Sequence, residues 1–341
     1  MLKSLQKAFK VKEVRDRLLY TFMMLVVIRI GCCLPIPGVD PSYLHDFFSN
    51  LQNSGMGFFN AITGGSFSSM SIFALSITPY ITSSITMQLL TNAIPKLEEM
   101  QKDGEDGRKK IAEYTRYLTV GLALFESCAM AVGLGGKGLL LEDHRNIWGY
   151  LTVVAAMTAG SALLMWIGER ITDNGVGNGI SIVLLINIVS GTPQDMMTLY
   201  ERFMAGRSVA VATVSGIIVL AIIVAIVVFV LVLNDAERRI PVQYSKKMQG
   251  RRMIGGQSTY IPLKVNTANV IPVIFASSIM SMPVMIAQFF HVDYSTIGGK
   301  ILLALSSSNW FKPEAPAYSI GMLVYIILVV LFAYFYTSIT F

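Results

Sequence analysis

The segment 47–95 decides the fold of this chain, and it reads FFSNLQNSGMGFFNAITGGSFSSMSIFALSITPYITSSITMQLLTNAIP. It carries no charged residue, yet its character changes midway. Residues 55–71 are rich in Gly, Ser and Phe, whereas residues 72–90 are apolar with scattered Thr and Ser. Only the second half is typical of a membrane-spanning helix, because irregular backbone in hydrocarbon leaves N–H and C=O groups unpaired. We therefore expect a membrane protein in which the first half is folded in among helices.

The composition of the whole chain agrees with this expectation. Of its 341 residues, 53% are hydrophobic and 14% are charged, and the mean hydropathy is +0.58. Soluble domains carry about a quarter of charged residues. A helical span needs roughly 20 mostly apolar residues. Eight stretches are candidates, of which the fifth is short: 18–37, 72–90, 115–135, 147–168, 179–191, 209–233, 268–290 and 318–340. The prediction is an all-α polytopic membrane protein.

The distribution of Lys and Arg predicts the orientation, since short loops rich in these residues stay cytoplasmic. With the N-terminus inside, twenty of the 27 Lys and Arg residues fall in the inner segments 1–17, 96–116, 169–178 and 234–264. Six fall in the opposite loops, and Arg29 lies inside the first span. We therefore expect a cytoplasmic N-terminus, with the net charge of +6 concentrated on the cytoplasmic face.

Three inner segments differ in what their charges indicate. Residues 1–17 form either an amphipathic helix on an anionic membrane surface or a plain basic tail that sets topology. Residues 96–114 mix acids, bases and two glycines, which predicts a solvated linker. Residues 234–264 carry seven basic residues against two acids. The positive-inside rule would account for that excess, but 31 residues exceed the length of an ordinary connection, which favours a docking surface.

The chain lacks the patterns of catalytic and metal sites. His45, His144 and His291 have no metal-ligand spacing, and no Walker or dinucleotide glycine pattern precedes a cytoplasmic helix. The cysteines all lie inside predicted spans, which argues against a disulfide framework, and they are Cys32, Cys33 and Cys128. We predict that the chain is not an enzyme and needs no metal or cofactor.

Two ionisable residues, Arg29 and Glu126, clearly fall inside predicted spans. Such residues are candidate functional sites because a charge in the membrane is costly. Two of them make a poor relay for ions or protons, so a small-solute secondary transporter is only the second interpretation.

Aliphatic residues recur at helical spacing in the polar and glycine-flanked spans. Ile77 and Ile81 are four residues apart, as are Leu184 and Ile188, and Ile274 follows Pro272. Rings of such residues close a pore by dewetting. Taken alone, each pair also fits ordinary packing between helices, which is the more common reason for this spacing.

Four segments together form a more specific pattern. They are RIG at 29–31 with LPIPG at 34–38, ITPYI at 77–81 leading to QLL at 88–90, GVGNGISI at 175–182, and PLKVN at 262–266 with IPVIFASS at 271–278. In this order they make the chain similar to the SecY family of bacterial protein-conducting channel subunits, across essentially all 341 residues.

The resemblance implies a SecY-type bundle of two inverted five-helix halves, with eight of ten spans present. The first half would be 18–191, and the incomplete second half 209–341 would include the cytoplasmic loop 234–264. The chain stops at Phe341, after the eighth span. We therefore expect either a fragment or a chain that cannot form a complete channel alone.

The resemblance also implies roles for individual residues. A plug sealing the pore from outside would comprise about 58–73, including Phe58, Phe59, Asn60, Gly64, Gly65 and Phe67. The hydrophobic pore ring would contain Ile77, Ile81, Leu184, Ile188 and Ile274. The lateral gate would contain Gln88, Asn266 and, less directly, Glu126. Partner docking would involve Arg238, Arg239, Lys246, Lys247, Arg251 and Arg252.

The resemblance also implies a location and partners. The chain would be a translocase subunit in the bacterial inner membrane. The chain would pair with the small membrane subunits SecE and SecG and would present its cytoplasmic loop to the ribosome and the motor ATPase SecA. Its substrates would be secretory and membrane proteins, whose signal sequences it recognises and whose apolar segments it releases into the lipid bilayer.

Overall fold

The computed structural model of the protein describes residues 10–40, 63–134, 140–141, 145–242, 247–249, 252–254, 259–268, 270–289, 296–306, 310 and 316–340. In chain order the elements are α1 (Lys12–Cys33), α2 (Thr78–Ala93), α3 (Pro95–Lys102), α4 (Glu105–Leu134), α5 (Ile147–Asn174), α6 (Gly179–Phe203), α7 (Val209–Asp235), β1 (Glu237–Val242), β2 (Lys247–Gln249), β3 (Arg252–Ile254), β4 (Thr259–Lys264), α8 (Ile271–Phe289), α9 (Ile297–Leu305), a 3₁₀-helix (Pro316–Ser319) and α10 (Ile320–Thr340). The described chain is mostly helical, as the composition predicts.

Two compact units make up the chain. The first comprises Met1–Pro193 and Ser277–Ile327, and the second comprises Gln194–Ala276 and Leu328–Phe341. The first unit contains α1 to α5, and the second contains α7 and the four strands. The predicted halves 18–191 and 209–341 stay a prediction.

Four helices in the described ranges are long and apolar enough to cross a membrane by themselves: Ile147–Asn174, Gly179–Phe203, Val209–Asp235 and Pro316–Ser338. They correspond to four of the eight predicted spans. The fifth predicted span, 179–191, is much longer than expected, because α6 continues through Pro193 to Phe203. Helix α7 contains no buried residue, so its Val, Ile and Leu side chains are exposed along its length.

The second predicted span, 72–90, was placed too early. Helix α2 begins at Thr78, with Pro79 in its first turn, where a residue without an N–H costs no intrahelical bond. Residues 63–77 run instead as turns, apart from a single bridging residue. The apolar residues of 72–77 lie in the protein core and do not continue a helix.

Residues 96–114 are mostly exposed, as predicted for a solvated segment, but the prediction of a linker was wrong because the segment is largely helical. Pro95 opens α3 and holds the preceding Ile94 in an extended conformation. A turn at Gly104, with φ of +81°, leads into α4, whose first turn carries Glu105 and Asp106 at the positive end of the helix dipole. Gly107 lies against the Met100 carbonyl, so α3 folds back on α4.

The described residues between 237 and 264 form two two-stranded antiparallel ribbons. β1 pairs with β4, with Glu237 opposite Lys264 and Val242 opposite Thr259, and β2 pairs with β3. The sequence predicts a cytoplasmic docking loop here and no strands. The basic residues that predict a docking surface also interrupt the apolar alternation by which strands are predicted.

Two buried clusters form the core of the first unit. The Phe67 cluster contains Ile36, Val39, Phe67, Met70, Ala74, Leu75, Ala123, Met130, Ala131, Leu140, Val153 and Met157. The Phe73 cluster contains Ile28, Cys32, Phe73, Ile77, Leu164, Ile167, Ile171 and Val183. The segment 63–77 contributes to both, so it is part of the core and not a surface loop.

Candidate functional site

The backbone of segment 63–77 is tied to the stretch that follows α1. The N–H of Ile36 donates to the carbonyl of Met70 at 3.0 Å, and the N–H of Ile72 donates to the carbonyl of Leu34 at 3.0 Å. Pro35 and Ser71 form the antiparallel bridge between them. These bonds supply the partners that an irregular segment needs when it is buried among apolar helices.

Small residues on two helices make room for this segment. A Cβ at Gly31 in α1 would overlap the ring of Phe73, and one at Gly160 in α5 would overlap the carbonyl of Ile72. Phe67 is 1% exposed, which shows how completely the segment is enclosed. The close approach of backbone and ring therefore depends on glycine at both helix positions.

Ser76 is one of two non-glycine residues of the segment with a positive φ, the other being Met70. The φ of Ser76 is 53°, in the left-handed region that L-residues other than Gly, Asn and Asp rarely adopt. The Nδ2 of Asn187 donates to its Oγ at 3.0 Å, and the Oγ of Ser161 donates to its carbonyl at 3.3 Å. Helices α5 and α6 thus hold the residue immediately before Ile77.

The bond to Ser76 continues through α6 to a charged residue of α1. The Oγ of Ser190 donates to the Asn187 carbonyl at 2.7 Å and accepts from Nη1 of Arg29 at 2.8 Å. Arg29, which sequence analysis singled out without a role, therefore has a polar partner inside the bundle. Sequence analysis missed Asn187 and Ser190, since single polar residues in an apolar helix show no periodic signal.

Three of the predicted ring residues meet in the Phe73 cluster. Ile77 is fully buried there, and Ile81 and Leu184 pack against it while partly buried. Ile188 is 53% exposed and lies outside the cluster, whereas Ile180, one turn before Leu184, packs within it. Ile274 is half-buried in α8, in the second unit.

The predicted plug is described in part. Phe58, Phe59 and Asn60 lie outside the described residues, while Phe67 is buried in its cluster. Gly64 and Gly65 have φ values of +65° and +81°, and turns of this kind require glycine.

The predicted gate residues lie in different surroundings. Gln88 is exposed near the end of α2, and Glu126 is half-buried in α4, both in the first unit. Asn266 is half-buried between β4 and α8 in the second unit. Within the described ranges, no group of three His, Cys, Asp or Glu residues is arranged to hold a metal ion.

The predicted docking residues follow the ribbons. Arg238 and Arg239 are exposed on β1, and the guanidinium of Arg239 lies 4.8 Å from the centre of the Tyr260 ring, a cation–π contact across the ribbon. Lys247 belongs to β2 and Arg252 to β3. Lys246 and Arg251 lie outside the described residues.

Known proteins resemble this chain over its whole length. The SecY family model matches residues 71–341. The protein translocase subunit SecY of Streptomyces scabiei is 43% identical over 353 residues, covering 100% of this chain and 77% of the relative. The SecY subunit of Thermus thermophilus is 39% identical, covering 100% of this chain and 76% of the relative.

Solved structures show the same fold. A structure described as that of a protein conducting channel matches with a TM-score of 0.58 at 19% identity, covering 93% of this chain and 71% of the other. Sec61 in the canine ribosome-channel complex from the endoplasmic reticulum matches with a TM-score of 0.57 at 19% identity, with the same coverage. The helical bundle is therefore of the SecY and Sec61 type.

Proposed function

The chain belongs to the SecY family of protein translocase subunits, and on that premise we propose how its residues pass proteins across a membrane. It acts as the central subunit of a protein-conducting channel. Unfolded secretory proteins pass through this channel, and transmembrane segments leave it sideways into lipid. The transporter alternative finds no support among the related proteins.

The plug is the part of the proposal on which the rest depends. One observation carries it: segment 63–77 is uncharged and mostly non-helical, yet ten of its 15 residues are buried among helices. A segment built in this way fills space in the bundle without spanning it. We assign the plug to about 58–73, with Phe67 as its buried anchor.

The pore ring is proposed around Ile77, Ile81 and Leu184. Their common cluster supports this assignment, and it favours adding Ile180, which lies one helical turn from Leu184. Ile188 and Ile274 remain members of the proposed ring. Closely packed aliphatic side chains exclude water from a narrow passage, so the ring would block ions while the plug is seated.

The lateral gate is proposed at Gln88, Asn266 and Glu126. The apolar core of a signal sequence gains about 3 to 6 kcal/mol over ten Leu-like residues on entering the bilayer. Polar residues at a gate leave its closed form less lipophilic than an all-Leu seam. A signal of that strength would then suffice to part it.

The cytoplasmic ribbons are proposed to dock the ribosome and SecA, and SecE and SecG would be the membrane partners. Exposed Arg238 and Arg239 on β1 support an acidic or nucleic-acid partner for this surface. The proposed setting is the bacterial inner membrane with the N-terminus in the cytoplasm, which agrees with the excess of Lys and Arg on that side.

Crosslinking of a stalled secretory precursor tests the proposed passage. A photo-crosslinker placed in turn at Ile77, Ile81, Leu184 and Ile188 should capture the precursor in membranes that contain SecA and ATP. Leu220 in α7, 65% exposed on an apolar helix, is the matched control and should capture lipid instead. Equal capture at Leu220 and at Ile81 would overturn the assignment.

A flux measurement separates the channel from the transporter alternative. Proteoliposomes with the chain but without SecA or a ribosome should show no saturable uptake of small solutes. Saturable uptake that is abolished by Glu126→Gln would instead favour a transporter.

A further inference from the structure

We infer that a hydrogen-bonded latch, centred on one turn of α6, holds segment 63–77 in place. The latch thereby sets how apolar a signal sequence must be to open the channel. The latch consists of Arg29, Ser76, Asn187 and Ser190. This inference rests on the proposed role of the segment as a plug. It assigns its residues as positioning residues, since none of them need touch a passing protein.

The latch is a continuous chain of hydrogen bonds that crosses three parts of the first unit. Arg29 of α1 donates to Ser190, Ser190 donates to the carbonyl of Asn187, and the amide of Asn187 donates to the Oγ of Ser76. The bonds measure 2.8, 2.7 and 3.0 Å in that order. Asn187 is 1% exposed, so bulk water does not compete for its amide, while Arg29 and Ser190 are half-buried.

Both ends of segment 63–77 meet this same turn of α6. At the far end Ser76 bonds to Asn187, and at the near end Gly64 packs against it. A Cβ built at Gly64 would lie 2.7 Å from the Asn187 carbonyl oxygen and 2.9 Å from the Oγ of Ser190. Residues 187–190 of α6 therefore contact both ends of the segment.

Strain at Ser76 makes the latch specific to the seated state. With φ of 53°, Ser76 holds a conformation that glycine would adopt without strain. Two side-chain bonds, from Asn187 and Ser161, offset that strain only while the segment is in place. Loss of these bonds would therefore favour departure of the segment more than loss of the same bonds would in a loop without backbone strain.

An unpaired atom also lowers the cost of release. The Oδ1 of Asn187 is buried and has no hydrogen-bond partner among the described residues. A buried acceptor without a donor is unfavourable, and water entering an opened site would satisfy it. The latch therefore combines favourable bonds with a penalty that disappears on opening, as a reversible lock requires.

Hydrogen exchange of the full chain in proteoliposomes tests the latch directly. Asn187→Leu and Ser76→Ala each remove the bond between α6 and the segment. Amide exchange in residues 63–77 should become roughly five- to tenfold faster in Ser76→Ala, as loss of one buried hydrogen bond predicts. The increase should be smaller in Asn187→Leu, because this change also removes the unpaired Oδ1. Ser190→Ala, which leaves the Asn187 amide in place, is a milder second variant and should give a smaller increase.

Ser76→Gly separates the bond from the strain. It removes the hydroxyl but relieves the left-handed backbone, so exchange should increase less than in Ser76→Ala. Thr152→Val in α5 is the matched control, because among the described residues the Thr152 hydroxyl bonds only to the Trp148 carbonyl of its own helix. It should leave exchange in residues 63–77 unchanged.

Export of precursors with weak and strong signals completes the test. Faster exchange together with increased export of weak signals supports the inference. Unchanged exchange in Asn187→Leu, Ser76→Ala and Ser190→Ala overturns the latch and leaves the plug to be tested separately by hydrogen exchange with a stalled precursor. Faster exchange with unaltered export supports the latch as a structural tie but overturns its role in setting signal stringency.

Discussion

Segment 63–77 and helix α7 are both almost free of charge, yet they are built in opposite ways. Helix α7 forms its backbone hydrogen bonds internally and has no buried residue. Segment 63–77 takes bonds from the stretch after α1 and from α5 and α6, and most of its side chains are buried. One is a self-sufficient apolar helix, and the other exists only where neighbouring helices surround it.

The difference teaches what an uncharged run can and cannot indicate. The absence of charge does not distinguish the two regions, since it fits both an exposed apolar helix and a segment buried inside the protein. Backbone autonomy depends on residue type: Val, Ile and Leu let α7 remain helical, whereas Gly and Ser leave segment 63–77 in need of external partners. A sequence with the second composition in a membrane protein is expected to lie inside the protein.

The largest expected effect contrasts a buried anchor with an exposed apolar residue. Phe67→Ala should lower the free energy of unfolding by about 3 to 5 kcal/mol, because it leaves a cavity in the Phe67 cluster. Leu220→Ala in α7 should change it by less than about 0.5 kcal/mol. Chemical unfolding in mixed micelles measures both. Equal losses in the two variants would show that segment 63–77 is no more dependent on burial than α7.

A second contrast uses one glycine from each region's surroundings. Gly160→Ala should destabilise the protein by about 1 to 3 kcal/mol, since its Cβ would overlap the Ile72 carbonyl and backbone yields poorly. Gly216→Ala in α7 should stabilise by about 0.5 to 1 kcal/mol, because its nearest neighbour is the flexible end of Met204 at 3.0 Å. If both variants raise, or both lower, the free energy of unfolding, the contrast between the two regions is contradicted.

A third contrast tests whether apolar side chains beside segment 63–77 form a barrier. Ile81→Ser and Leu184→Ser should raise the leak of small ions through the idle channel severalfold, since a polar ring wets more easily. Val228→Ser in α7 places the same change on an exposed helix and should not alter the leak. Planar-bilayer conductance measures the three variants side by side.

The smallest expected effect concerns the gate. Gln88→Leu and Asn266→Leu should each shift the ratio of export between weak and strong signals by about threefold. A shift of that size corresponds to the free energy of one intramembrane hydrogen bond. In vitro translocation of a graded signal series measures the ratio. Unchanged ratios in both variants would remove these residues from the gate.

Hydropathy predicts the long apolar helices because a span is a local property of about 20 residues. It failed at the start of α2, since residues 72–77 are apolar through burial in the core and the helix begins only where Pro79 fits its first turn. It failed again at 96–114, where charges and glycines suggested a solvated linker, although Pro95 and the acidic start of α4 favour helices.

The site was less predictable than the fold. Helical spacing pairs Leu184 equally with Ile180 and with Ile188, and only packing in the Phe73 cluster distinguishes them. Asn187 bonds to Ser76, more than a hundred residues earlier, and Ser190 bonds to Arg29. Contacts at such separations depend on tertiary structure and leave no local pattern.

Hydrogen exchange with and without a stalled precursor tests most directly that segment 63–77 carries the plug, which is proposed to end at about residue 73. Residues 63–77 should be protected in the idle channel and should exchange readily once a precursor, crosslinked at Ile81, occupies the passage. Helix α7 serves as the internal reference and should show the same exchange in both states. Continued protection of residues 63–77 with the precursor crosslinked at Ile81 would contradict the account.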